Sequence, residues 1–228
     1  MNWEEEKINF NNFIIENNII GLFKEPILLK SGRESYWYVN WRNVAADVYL
    51  LDKLTDYLLS YIDYLHLEPN CFYGVPEGAS KLGIITQFKW AKRDKNYNAG
   101  VYTLSMGRGL QKEHGDPKDR MFLGTPQGKV IILEDVATTG DSLVGNIKKL
   151  KKIGVNIIAA IVLTDRNELR DDGKTVEEMI LEQGVQYYAM SNAIDLLPNL
   201  KIDKEIAKKI EKYFEKYGTK DITLINSN

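Results

Sequence analysis

The sequence predicts an α/β fold, a mainly parallel sheet with helices on both faces and a small N-terminal hood. Three observations carry this reading. Short apolar runs recur at Cys71 to Val75, Val101 to Met106, Lys129 to Leu133, Asn156 to Leu163 and Gln186 to Met190, each bounded by polar residues or Gly. Helix-like segments separate most of these runs, and strands that alternate with helices pair in parallel. The runs are apolar on both faces, as strands covered from both sides must be.

The elements follow in order. Phe10, Phe13 and Ile14 recur at helical spacing ahead of Asn17-Asn18, so a first helix is expected from Trp3 to Asn17. Leu28 to Arg33 and Ser35 to Trp41 read as two extended pieces with a Gly32 turn between them, a hairpin-like cap. Asp47 can cap a long helix through Leu65 that places Leu50, Leu51, Leu54, Leu58 and Ile62 on one face. Further helices are expected over Ser80 to Trp90, Ser142 to Ile153, Thr175 to Gln183 and Asp203 to Tyr217. This divides the chain into helix and hood segments, 1–45, and a core, 46–228, within one continuous domain. Gly107 to Gly128 shows neither period, and a polar gap of that length inside a compact domain is expected to be a mobile functional loop.

Composition narrows the partners. With 228 residues, 44% of them hydrophobic and 27% charged, the chain can bury a core and stay in solution. Thirty Lys and Arg stand against 32 Asp and Glu, a net charge of −2, so no global positive field favours nucleic acid or an anionic membrane. Any anion site must be local. The longest nearly apolar stretch, Ile157 to Leu163, is far short of the roughly 18 residues of a membrane span. An acidic start, Met1 to Glu6, is unlike a basic export leader, so the cytoplasm is the expected location. Cys71 is the single cysteine; it excludes an internal disulfide and a cysteine-based zinc cluster, and its apolar neighbours make it a small core residue.

The most informative segment runs from Val130 to Ser142. An apolar strand leads into Glu134 and Asp135, then Thr138-Thr139-Gly140-Asp141-Ser142 opens a helix. In an open α/β sheet, ligands bind in the crevice beyond the carboxyl ends of the strands. Hydroxyls, backbone N–H groups and a Gly at a helix N-terminus suit a phosphate, and carboxylates beside them suit ribose hydroxyls. The pattern points to a sugar phosphate. Neither Gly-x-x-x-x-Gly-Lys-Ser/Thr nor Gly-x-Gly-x-x-Gly occurs, which sets nucleoside triphosphate loops and dinucleotide folds aside.

Leu133 to Ser142 resembles the phosphoribosyl diphosphate motif of the type I phosphoribosyltransferases at every position. Four further segments narrow the resemblance to the orotate phosphoribosyltransferase family. Leu29-Lys30-Ser31-Gly32-Arg33 with the aromatic Tyr36-Trp37-Tyr38 resembles its N-terminal hood. Asp165-Arg166-Asn167-Glu168 resembles its Asp-Arg-x-Glu, and Arg108 to Gly115 its catalytic loop. Gly74 to Lys81 is similar to its pyrophosphate loop, where the family often holds a strained peptide bond.

The resemblance implies the type I fold, transfer of phosphoribosyl from phosphoribosyl diphosphate to orotate, Mg²⁺ as cofactor, and a homodimer whose 107–128 loop crosses to the neighbouring subunit. It further implies roles. Arg108, Lys112 and His114 act catalytically with Glu134 and Asp135. Lys30, Glu77, Gly78, Ala79, Glu134, Asp135, Ala137, Thr138, Thr139, Gly140, Asp141 and Ser142 bind phosphoribosyl diphosphate. Lys30, Tyr38, Thr138 and Arg166 bind orotate, the planar guanidinium matching its carboxylate. Mg²⁺ is held mainly through the substrate, with Asp135 the candidate side chain.

One departure stands out. Gly109 replaces the lysine that usually follows the loop arginine, although Lys118 and Arg120 lie further along the segment. Two other readings stay open on the residues: a phosphoribosyltransferase for another base, and a non-catalytic regulator that binds phosphoribosyl diphosphate.

Overall fold

The computed structural model describes residues 3–109, 114 and 121–224. Helix α1 (Trp3–Glu16) is followed by strands β1 (Ile20–Leu28) and β2 (Glu34–Val39), which pair antiparallel as the hood. Helices α2 (Arg42–Ala46) and α3 (Val48–Tyr64) lead into β3 (Cys71–Gly74) and α4 (Ser80–Lys92). A two-stranded ribbon, β4 (Met106–Gly107) with β5 (Phe122–Leu123), brackets the polar segment. The remainder is β6 (Lys129–Ala137), α5 (Asp141–Lys152), β7 (Asn156–Asp165), α6 (Val176–Leu181), β8 (Gln186–Asn192), α7 (Ala193–Leu196) and α8 (Lys204–Tyr217).

Among the described residues the main sheet has four strands in the order β3-β6-β7-β8, all parallel. Alternation across the pleat assigns its side chains to two cores. Ile131, Leu133, Ala159, Ile161 and Leu163 pack with α1, α3 and α8, while Val130, Ile132, Ala160 and Val162 pack with α5 and α6. Burial on both faces explains why these strands read as continuous apolar runs. Asp47 caps α3 by accepting from the Leu50 N–H at 2.9 Å, as expected, and Thr175 and Glu178 form a reciprocal capping box on α6.

The structure corrects three expectations. Val101 to Met106 is not a sheet strand: Val101 and Leu104 are exposed, Val101 closes a turn with Asn98, and only Met106 joins the ribbon. The first hood strand spans Ile20–Leu28, so Leu29 to Arg33 is the turn rather than the strand. Strand β6 continues to Ala137, which puts Glu134 and Asp135 on its last turns of pleat instead of beyond its end. Pairing of Glu134 with Val162 and Ala137 with Asp165 extends the ladder that far. None of the described helices is long and apolar enough to cross a membrane.

Candidate active site

A cavity of about 380 Å³ opens at the carboxyl ends of β6 and β7 and beneath the hood turn. The side expected to take a phosphate is built by one contiguous stretch. Thr138, Thr139, Gly140, Asp141 and Ser142 line it, and Ala137, buried at the end of β6, completes the wall. Gly140 adopts φ 71°, and a Cβ there would lie 2.9 Å from Val176, so a side chain is excluded by both backbone and packing. α5 starts immediately after it, and the first turn of a helix leaves N–H groups without intrahelical acceptors.

Glu134 and Asp135 line the floor. Glu134 is buried, its Oε2 has no hydrogen-bond partner, and burial followed by the neighbouring Asp135 charge pushes its carboxyl well above the usual carboxylate range. An orphaned buried oxygen beside an open cavity is a group waiting for a donor. Asp135 reaches across to Gly78, where a Cβ would run into its carboxylate; glycine is required for this close approach.

Glu77 and Gly78 also line the cavity, and the Pro76–Glu77 peptide is cis. Ala79 does not line it. That residue is fully buried, and its N–H, like that of Ser80, is already bonded to a backbone carbonyl of the same turn. The donors expected to be open across this turn are therefore fewer than the sequence suggested. Lys30, exposed on the hood turn, and Tyr38, on β2, complete the rim.

Arg166 follows β7 directly and lines the cavity while being 1% exposed. Its N–H donates to Ala137 O at 2.9 Å, which ties it to the strand that carries the phosphate turn. Its guanidinium lies 3.7 Å above the Trp37 ring. Nε donates to Glu168 at 2.6 Å and Nη2 to Ser35 Oγ at 3.1 Å.

The loop residues are less gathered. Arg108 is half-buried at the base of the ribbon, where its N–H donates to Met121 O at 3.0 Å, and it does not line the cavity. His114 is exposed and also outside the lining, while Lys112, Lys118 and Arg120 lie outside the described residues. Gly109 packs against the pyrophosphate-type turn: a Cβ there would lie 2.9 Å from Glu77 Oε1. A lysine at this position would have to displace Glu77 or lie along it.

Arg170 was missed in the sequence. It donates to the Thr139 carbonyl and to Asp141 Oδ1, the latter at 2.8 Å, and so braces the phosphate turn from outside. Hydrogen bonds from Thr139 and Arg170 hold the Asp141 carboxyl below its ordinary value despite its partial desolvation. No local motif marks Arg170; only the acid at Asp141, in a turn expected to meet an anion, hints that a cation faces it. A wider groove of about 870 Å³ beside α3, lined by Glu6, Lys53, Asp63 and Arg93 among others, contains none of the motif residues.

No family model matches the chain. It is 32% identical over 160 residues to the orotate phosphoribosyltransferase of Legionella pneumophila strain Lens, covering 69% of this chain and 70% of that protein. The chain belongs to the orotate phosphoribosyltransferase family. The orotate phosphoribosyltransferase of Buchnera aphidicola is 29% identical over 230 residues, covering 96% of this chain and all of the relative. Among solved structures, the Francisella tularensis orotate phosphoribosyltransferase matches with a TM-score of 0.67 and 23% identity, over 92% of this chain and 99% of that one. At that identity the likeness speaks for the type I fold alone.

Proposed function

We propose that the chain transfers the phosphoribosyl group of 5-phosphoribosyl 1-diphosphate to orotate, giving orotidine 5′-monophosphate and diphosphate in pyrimidine synthesis. Family membership supports the activity. The observation that carries the base assignment is Arg166, a buried guanidinium at the cavity wall. A fixed planar cation there favours a planar base that bears a carboxylate, and gains nothing from uracil or a purine.

In the reaction the bond from ribose C1 to diphosphate breaks, a ring nitrogen of orotate bonds to C1, and its proton leaves. Positive charge grows on the sugar and negative charge on the leaving group, so positioning and electrostatics dominate the barrier. Thr138 to Ser142 hold the terminal phosphate and Glu134 and Asp135 the ribose hydroxyls. A donated hydroxyl hydrogen bond would give the Glu134 oxygen the partner it lacks. Lys30, Glu77 and Gly78 face the diphosphate, with Lys30, Tyr38, Thr138 and Arg166 around the base. Arg108, Lys112 and His114 act on the leaving group when segment 107–128 closes over the site and excludes water.

The residues fit Mg²⁺ carried by the substrate. Among the described residues no three His, Cys, Asp or Glu side chains converge as a cage, and Asp135 at the cavity floor is the side chain placed to assist. Mg²⁺ bound there would supply positive charge to offset the negative charge of the diphosphate. A cytoplasmic homodimer whose 107–128 segment reaches the neighbouring site completes the proposal.

The loss of orotate absorbance with 5-phosphoribosyl 1-diphosphate and Mg²⁺ tests the assignment. Turnover is expected. Turnover of adenine, hypoxanthine or uracil in its place would redirect the base assignment, and tight binding with no turnover of any base would make the chain a regulator.

A further inference from the structure

Beneath the base side of the cavity lies a buried cluster drawn from three distant parts of the chain. Glu168, whose side chain has no exposed surface, is its centre. Oε1 accepts from Arg166 Nε at 2.6 Å; Oε2 accepts from Arg33 Nη1 at 3.1 Å and from the Tyr213 hydroxyl of α8 at 2.8 Å. The Arg33 and Arg166 side chains are 6% and 1% exposed. Arg33 has a second partner in Asp171, whose exposed carboxylate accepts from Nη2 at 2.8 Å.

Two features of this cluster bear on binding. Two buried guanidinium groups share the Glu168 carboxylate, and Arg33 takes a second carboxylate from Asp171, so Arg166, which lines the cavity, shares Glu168 rather than holding it alone. The guanidinium of Arg166 is also fixed on several sides at once. Trp37 supports its face, Glu168 holds the Nε edge, and Ser35 takes an Nη2 proton. A guanidinium held in this way meets a carboxylate without losing side-chain freedom on binding. Tyr213 orients the holder: burial pushes its hydroxyl well above the ordinary phenol value, so it stays a donor to Glu168.

We propose that Glu168 and Tyr213 are positioning residues for base recognition, with the C-terminal helix α8 fixing Arg166 through the Glu168 carboxylate. The inference rests on the orotate assignment above. Neither Glu168 nor Tyr213 lines the cavity, so their effect should reach the base through Arg166 and fall on its affinity alone.

Calorimetric titration of orotate and, separately, of 5-phosphoribosyl 1-diphosphate into wild-type, Glu168→Gln and Tyr213→Phe chains tests this, with steady-state constants for both substrates. Glu168→Gln is expected to weaken orotate about tenfold and Tyr213→Phe about threefold, the scale of one hydrogen bond to a charged group, with the 5-phosphoribosyl 1-diphosphate constants unchanged within about twofold. If Glu168→Gln fails to fold, Tyr213→Phe decides, because it removes one oxygen and keeps the ring packing. Equal weakening of both ligands would mark a merely structural role and overturn the proposal, as would unchanged or tighter orotate binding. Failure of the wild-type chain to bind or turn over orotate would overturn the base assignment and this inference with it, whereas wild-type binding with indifferent variants overturns the inference alone.

Discussion

The two ends of the cavity are built in opposite ways. At the end proposed to take the phosphate, residues 134–142 come from one strand and the turn after it, and backbone N–H groups, hydroxyls and a helix start face the cavity. At the base end, Arg33, Ser35, Trp37, Arg166, Glu168 and Tyr213 come from three distant stretches and meet as buried side chains. A backbone-built end can serve any phosphoribosyl donor and tolerates exposure. The side-chain end depends on long-range packing, and the proposed function puts the choice of base there.

Ways to break this comparison can be ranked by expected size. Arg33→Ala removes one of the two charged hydrogen bonds to buried Glu168 and the packing of its guanidinium on Tyr217, and should cost about 3 kcal/mol of folding stability in urea denaturation, more than truncation to alanine of Thr138, Thr139, Asp141 or Ser142. A larger loss from the phosphate turn would reverse the contrast.

Glu134→Gln should lower kcat about 100-fold, the scale for losing one fixed hydrogen-bond acceptor of the reacting sugar. The same change should raise thermal stability near neutral pH. The folded state raises the carboxyl of Glu134 and holds its proton where the unfolded chain has lost it, so the wild-type chain loses stability as pH rises above about 4.3, the unfolded value. The stability advantage of the variant should close on acidification below that pH. An advantage that instead grew in acid would show that the carboxylate is favourably paired in the fold.

Arg170→Ala removes the outer brace of Thr139 and Asp141. Because that pair is partly exposed, the KM for 5-phosphoribosyl 1-diphosphate should rise only about threefold, with the KM for orotate unmoved. The smallest effect belongs to Cys71, which lies in the core away from both ends. Burial pushes its thiol up to about 11, so the native chain should resist alkylation by iodoacetamide at pH 8 while the urea-unfolded chain reacts.

This contrast also explains what was legible in the sequence. Strands β3, β6, β7 and β8 were readable because burial on both faces leaves an apolar run, and the phosphate turn because its groups are consecutive. Val101 to Met106 misled because Val101 and Leu104 are apolar yet exposed, so composition imitated a strand where no ladder forms. Arg166 was found through its motif, but its support was hidden by chain separation: Arg33 lies 135 residues from Glu168, and Tyr213 lies 45 from it. Tyr213 reads locally as one more aromatic on an amphipathic helix, and Arg170 as one more surface charge. Ala79 was carried into the site by its place in a turn, whereas packing sends it into the core.

Arg166→Ala tests most directly whether the base is chosen by side chains and the phosphate by backbone. Orotate and 5-phosphoribosyl 1-diphosphate would be titrated separately into wild-type and variant chains. Orotate affinity should fall about 100-fold or more, the scale for truncating one partner of a buried charge pair, while 5-phosphoribosyl 1-diphosphate affinity stays within about twofold. Orotate binding that survives the substitution, or a loss shared equally by both ligands, would contradict the division.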